Sequence, residues 1–169
     1  MRIAVYLLLL IIAACAEPEA RVLEEQQQMT LSSIAFNDNG MIPAKYTCDG
    51  EGINPPLTVT GLPKDAKSMA LIIDDPDSPS GTWDHWVLWN INPTEKIEED
   101  SIPGIEGLNS WGKHDYGGPC PPSGTHSYVF KVYALDTKLA ISENSGKIEL
   151  EGAMQGHIMA KAELIGLYQ

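Results

Sequence analysis

Three short stretches of this chain carry side chains able to do chemistry. Asp74-Asp75-Pro76-Asp77-Ser78-Pro79 sets three carboxylates in a proline-stiffened turn. Gly81-Thr82-Trp83-Asp84-His85-Trp86 offers an imidazole among aromatics, and the run Gly117 to Tyr128 brings a second imidazole, His126, and a phenol, Tyr128. Carboxylates beside imidazoles orient them and favour their protonated form. A glycine- and proline-rich loop adds backbone N–H groups. Together these groups suit a phosphate or another small oxyanion, held by hydrogen bonds rather than by bulk charge. The same types also permit two other chemistries. Asp, His and Tyr can do general acid–base work, as in a hydrolase-like enzyme. Asp75, Asp77, His85 and His126 could ligate zinc. Against these, no serine or cysteine stands in a nucleophile elbow, and no His-x-x-x-His helical spacing occurs. No catalytic residue, metal or cofactor is assigned.

For these stretches to meet, the elements between them must bring their ends together. Ser68 to Asp74 is a continuous apolar run of strand length, suited to burial on both faces. His85 to Asn92 reads as an aromatic-rich strand with Trp86, Leu88 and Asn90 on one face and His85, Val87, Trp89 and Ile91 on the other. Ser127 to Leu135 alternates, with Tyr128, Phe130, Val132 and Ala134 sharing a face. If these three strands are neighbours, the chemical stretches converge at one end. Residues 158–167 alternate as a strand, and a short helix is predicted over 145–155. Residues 93–125 form a loop far longer than the ~12–15 residues usual without a function. The fold class is mainly β, most economically an antiparallel sandwich with long loops and one or two short helices.

The whole chain sets bounds on the ligand. At 169 residues it holds one ordinary domain. A formal charge of −12 opposes any broad grip on nucleic acid or anionic lipid, so an anionic ligand needs a local pocket. Residues 1–14 read as a signal peptide: Ile3 to Ile12 is apolar but too short to span a bilayer, which takes ~20 residues. Ile12-Ala13-Ala14-Cys15 matches a bacterial lipobox, so Cys15 is the expected lipidation site; ordinary small-residue cleavage is the alternative. Removing 1–14 takes away only the charge of Arg2, moving the total from −12 to −13. Residues 15–28 read as a polar tether and 29–169 as the domain. The expected location is therefore outside the cytoplasm, facing the periplasm or cell exterior, with membrane contact through the anchor only. Cys48 and Cys120 either pair in an oxidising compartment or serve as small buried residues.

The sequence resembles a known family. Asp-Pro-Asp-x-Pro at 75–79, Trp-x-His at 83–85 and Gly-Pro-Cys-Pro-Pro-x-Gly-x-His-x-Tyr at 118–128 are similar to motifs of the phosphatidylethanolamine-binding proteins. The bacterial and archaeal branch described as Raf-kinase-inhibitor-like is the best match. The resemblance runs from about Leu31 to Tyr168 and includes Tyr46 to Glu51 and Gly156 to Leu164. It implies a β-sandwich with an anion pocket, often with a cis-proline beside it. Carried over residue by residue, the pocket residues are Asp75, Asp77, Pro79, Trp83, His85, Pro122, His126 and Tyr128. The resemblance implies a non-enzymatic binding protein for a small oxyanion or phosphorylated headgroup, one that modulates a partner kinase or protease. Apart from the resemblance, a homodimer is a further candidate partner, with no residue of the sequence pointing to it. Asp84 stands where eukaryotic relatives often have a second histidine, and Ser127 where many have a basic residue; both lower the expected local positive charge. Trp86, Trp89 and Trp111 read as core or loop anchors, Asp74 and Asp77 as turn caps.

Overall fold

The computed structural model describes residues 28–169. The expected leader, Cys15 and almost all of the tether lie outside the described residues. The strands in chain order are β1 (Thr30–Ser32), β2 (Gly40–Met41), β3 (Leu57–Thr60), β4 (Ser68–Asp75), β5 (Trp83–Ile91), β6 (Lys96–Ile97), β7 (Ile105–Glu106), β8 (His126–Leu135) and β9 (Ile158–Tyr168). One helix, α1 (Lys147–Met154), precedes β9, and a 3-10 turn covers Ala44–Tyr46. Six strands form one sheet in the order β2-β9-β8-β4-β5-β7, and three form a second in the order β1-β3-β6. Every pairing is antiparallel except the two-residue contact of β2 with β9. This is the β-sandwich expected from the sequence. The long loop over 93–125 is punctuated by β6 and β7. Among the described residues no helix is long and apolar enough to cross a membrane.

Two apolar clusters explain why the large sheet is buried on both faces. Leu71, Ile73, Trp86, Leu88, Tyr128, Phe130, Val132 and Leu164 pack between the sheets together with Leu31 and Val59. On the opposite face Ile72, Val87, Trp89 and Leu135 pack under Leu150 and Met154 of α1. Strand β4 lies between β5 and β8 and is buried along its entire length. Each face removes apolar surface worth about 25 cal/mol per Å² from water. The helix is short because little drives it beyond the Leu150/Met154 pair; Glu149 reaches back to the Gly146 N–H at 3.0 Å and caps its start.

Strand β5 departs from simple alternation twice, and both departures matter. Met69 pairs with Ile91 and Leu71 with Leu88, so one extra residue sits on β5. Asn90 absorbs it at φ 54°, a left-handed conformation that asparagine tolerates. Ile91 thereby joins the face of Leu88, contrary to strict period two. A second bulge lies between the pairs Ile73–Trp86 and Asp74–Asp84. There the extra residue is His85. It turns toward Tyr128, on the Trp86 side of the sheet, where alternation places it opposite Trp86.

Candidate functional site

Strands β4, β5 and β8 end side by side, and their ends open into a cleft of about 220 Å³. Asp75, Ser78, Pro79 and Ser80 line it from the end of β4, Trp83 and His85 from β5. Cys120, Pro122, His126 and Tyr128 line it from the Gly/Pro loop and β8, and Trp111 from the long loop. Seven of the eight residues carried over from the resemblance therefore share one concavity. Asp77 does not line it. Its carboxylate accepts the Ser127 N–H at 2.8 Å, which holds its pKa below the usual range. Its own N–H donates to Asp75 Oδ1 at 2.8 Å. Asp77 is thus a strut tying the β4 turn to the start of β8.

The acid at the centre is Asp75, 4 % exposed. Oδ2 meets Nδ1 of His126 at 2.7 Å while Oδ1 takes the Asp77 amide, so both oxygens are engaged. This fixes the His126 ring and leaves Nε2 as its free nitrogen. His85 is oriented differently. Its Nδ1 donates to the Gly117 carbonyl at 2.6 Å, and the Gly117 N–H returns to the His85 carbonyl at 2.9 Å. Burial pushes its pKa below the ordinary histidine value, with the Gly117 hydrogen bond and Asp75 opposing. The ring is therefore neutral near pH 7, with a lone pair on Nε2. Tyr128 is fully buried, and burial raises its pKa, so the phenol keeps its proton. Among the described residues its Oη has no hydrogen-bond partner of normal geometry, although the Cys120 amide lies near enough to oppose part of the rise.

The loop that closes the cleft is stapled in place. Cys48 and Cys120 form a disulfide, with Cα atoms 5.5 Å apart, and the Cys48 N–H donates to the Pro119 carbonyl at 3.1 Å. Gly118 makes this contact possible: a Cβ there would stand 2.9–3.2 Å from the backbone of Thr47 and Cys48. At Gly117 a Cβ would meet the Trp111 ring at 2.3 Å. Trp111 consequently lies on Gly117 and stands edge-on to His85 and Trp83, with ring centroids 5.1 and 5.3 Å away. A loop anchor by sequence, Trp111 is that and also a wall of the cleft. The Gly-Gly pair six residues downstream was the available signal.

Three other expectations from the sequence are corrected. Asp84 does not lower the charge of the cleft, because its side chain points to the rear of the sheet, 3.2 Å from Lys147 Nζ. Asp74 is no turn cap: it is 1 % exposed and pairs with Lys131 and Lys147 on that same rear face. Every peptide bond among the described residues is trans, so the cis-proline implied by the resemblance is not present there. His114 and His157 lie away from the cleft, bonded to Glu106 O and Asp136. Of the four residues that could ligate zinc, Asp75, His85 and His126 line the cleft and Asp77 turns away to the Ser127 N–H. Among the described residues no three His, Cys, Asp or Glu side chains gather to hold a metal.

A two-sheet sandwich with a cleft at the ends of three adjacent strands defines the class, and comparison with known proteins places the chain within it. The family model described as phosphatidylethanolamine-binding protein matches residues 32–169. A UPF0098 protein of Methanothermobacter thermautotrophicus is 49 % identical over 149 residues, covering 83 % of this chain and 99 % of that protein. One from Pyrococcus horikoshii is 48 % identical over 158 residues, covering 86 % and 79 %. Among solved structures, a phosphatidylethanolamine-binding protein homolog from Chlamydia trachomatis superposes with a TM-score of 0.82 at 43 % identity, covering 85 % of this chain and 98 % of that one. YbcL of E. coli, described as a new member of the mammalian family, gives 0.77 at 27 % identity over 84 % and 98 %. The chain belongs to the phosphatidylethanolamine-binding protein family.

Proposed function

We propose that this chain is a non-enzymatic binding protein whose cleft takes a small oxyanion or a phosphorylated headgroup. The observation that carries this reading is the Tyr128 hydroxyl. A buried hydroxyl left unpaired costs about 1–3 kcal/mol, and a charged acceptor arriving in the cleft recovers it. The His126 Nε2 supplies a second contact, sharing a proton with the bound oxyanion while Asp75 holds the far side of the ring. The carboxylate of Asp75 is spent on His126 and on the Asp77 amide, so it stands behind the imidazole rather than against the ligand. The thiol in the cleft lining, that of Cys120, is tied up in the disulfide with Cys48 and is no nucleophile. That favours binding over turnover.

Titration of inorganic phosphate and phosphoethanolamine into the purified domain, followed by calorimetry, tests this. Wild type should bind, and His126→Ala should lose about tenfold or more in affinity, the cost of a hydrogen bond to a charged group. Equal binding by the two proteins would remove the cleft from consideration. Ester turnover abolished by His85→Ala would favour an enzyme, and loss of binding after chelation a metal site. Modulation of a kinase or protease is part of the proposal by family likeness, and a homodimer is a candidate partner beside it. Export with lipidation at Cys15 belongs to it as well, and the Cys48–Cys120 disulfide is in keeping with an oxidising compartment.

A further inference from the structure

On the rear face of the large sheet, opposite the cleft, four charged side chains meet. Asp74 lies on β4, Asp84 on β5, Lys131 on β8 and Lys147 at the start of α1. Lys131 Nζ reaches both Asp74 oxygens at 2.9 and 2.7 Å. Lys147 Nζ donates to Asp74 Oδ2 and stands 3.2 Å from Asp84 Oδ1, an ion-pair distance whose angle falls short of a hydrogen bond. Two ammonium groups thus balance two carboxylates. The two acids face each other across the strand pair and immediately precede Asp75 and His85, the groups that line the cleft in front.

The same pair of acids marks the bulge that brings His85 forward. A bulge holds two residues against one, and a shift by one residue would send each side chain to the other face. Here the two residues are held in opposite directions. His85 is held toward the cleft by its two hydrogen bonds with Gly117. Asp84 is held toward the rear by Lys147, and its backbone is closed by Ser110, whose Oγ takes the Asp84 N–H and whose N–H meets the Asp84 carbonyl. Lys147 has no local reason for its place. A cation in the first turn of a helix opposes the helix dipole, and the first turn of α1 would by itself favour an acid. Its role lies across the gap, in the acids of β4 and β5.

We propose that Lys147 is a positioning residue for the cleft: it clamps Asp74 and Asp84 from behind and thereby fixes the bulge that aims His85 at the ligand. The proposal rests on the binding reading only for its affinity measurement. Lys147→Met should weaken phosphate binding about tenfold, the order seen when a supporting partner is removed. It should also shift the ring resonances of His85, including the Nδ1–H bonded to Gly117, as followed by nitrogen-15 NMR. Asp84→Asn cuts the same link and should give the same shifts, whereas Lys147→Arg should restore both readouts. A merely structural lysine would lower the unfolding temperature and leave the His85 signals of the folded protein in place. Wild-type affinity and unshifted His85 resonances in Lys147→Met would overturn the proposal. Should Lys147→Met fail to fold, Asp84→Asn decides by the same two readouts. Should wild type itself not bind phosphate, the binding reading falls and the His85 resonances alone decide the clamp.

Discussion

Tyr128 sets stability against binding within one side chain. Its hydroxyl is buried and unpaired, so Tyr128→Phe should raise stability by about 1 kcal/mol while weakening phosphate affinity about tenfold. Thermal unfolding and calorimetry on the same preparation check both halves; a variant that loses stability and keeps its affinity would contradict the role given to the phenol. His85 carries a pH signature. Its pKa is depressed by burial below the ordinary 6.5, so the unfolded chain binds the proton more readily than the folded one. Stability should hold above pH 6.5 and fall as pH drops through the folded-state value, and His85→Gln should flatten that slope in urea titrations. At this scale the motif residues were legible because their spacing is distinctive. What was not legible was direction. Asp84 and Asp77 stand in the same short stretches as His85 and Asp75 yet turn away, since pairing partners such as Lys147 and Ser127 lie some 50 or more residues along the chain.

Strand type could be read from alternation wherever alternation holds, as in β8 and β9, whose inward faces follow period two from Tyr128 to Ala134 and from Ala160 to Tyr168. It failed in β5, where two bulges break the period, and one of those failures sits at the site. The signal was local and weak: Asn90 tolerates a left-handed backbone, but nothing in Asp84-His85 announces an extra residue. The Gly/Pro loop is an element of the site in its own right. Its disulfide closes a span of 72 residues, which in the chain-entropy account is worth about 4 kcal/mol. Cys48→Ser with Cys120→Ser should therefore lower the unfolding free energy by about 2–4 kcal/mol and loosen the wall that Cys120 gives the cleft. Denaturant titration with and without a dithiol reductant checks it; equal midpoints would contradict the staple.

Over the whole molecule, the ends of β4, β5 and β8 concentrate the chemistry, while acidity surrounds it. With a formal charge of −12 the chain has no electrostatic hold on anionic lipid, so membrane contact would depend on a covalent anchor. If Cys15 is lipidated, Cys15→Ser should move the protein from the membrane fraction to the soluble fraction of expressing cells; unchanged retention would contradict lipidation. The sandwich and the family were legible because the motifs lie in order across most of the chain. The three-stranded second sheet was not, since β1, β3 and β6 are only 3, 4 and 2 residues long, too brief for a period to register.

The most direct test of the cleft as a binding site is a crystal structure of the domain soaked in phosphoethanolamine. Expected are phosphate oxygens at about 2.6–3.1 Å from Tyr128 Oη and His126 Nε2, with His85 still bonded to Gly117. A cleft filled only by water at saturating ligand, or a ligand seated elsewhere on the sandwich, would contradict it.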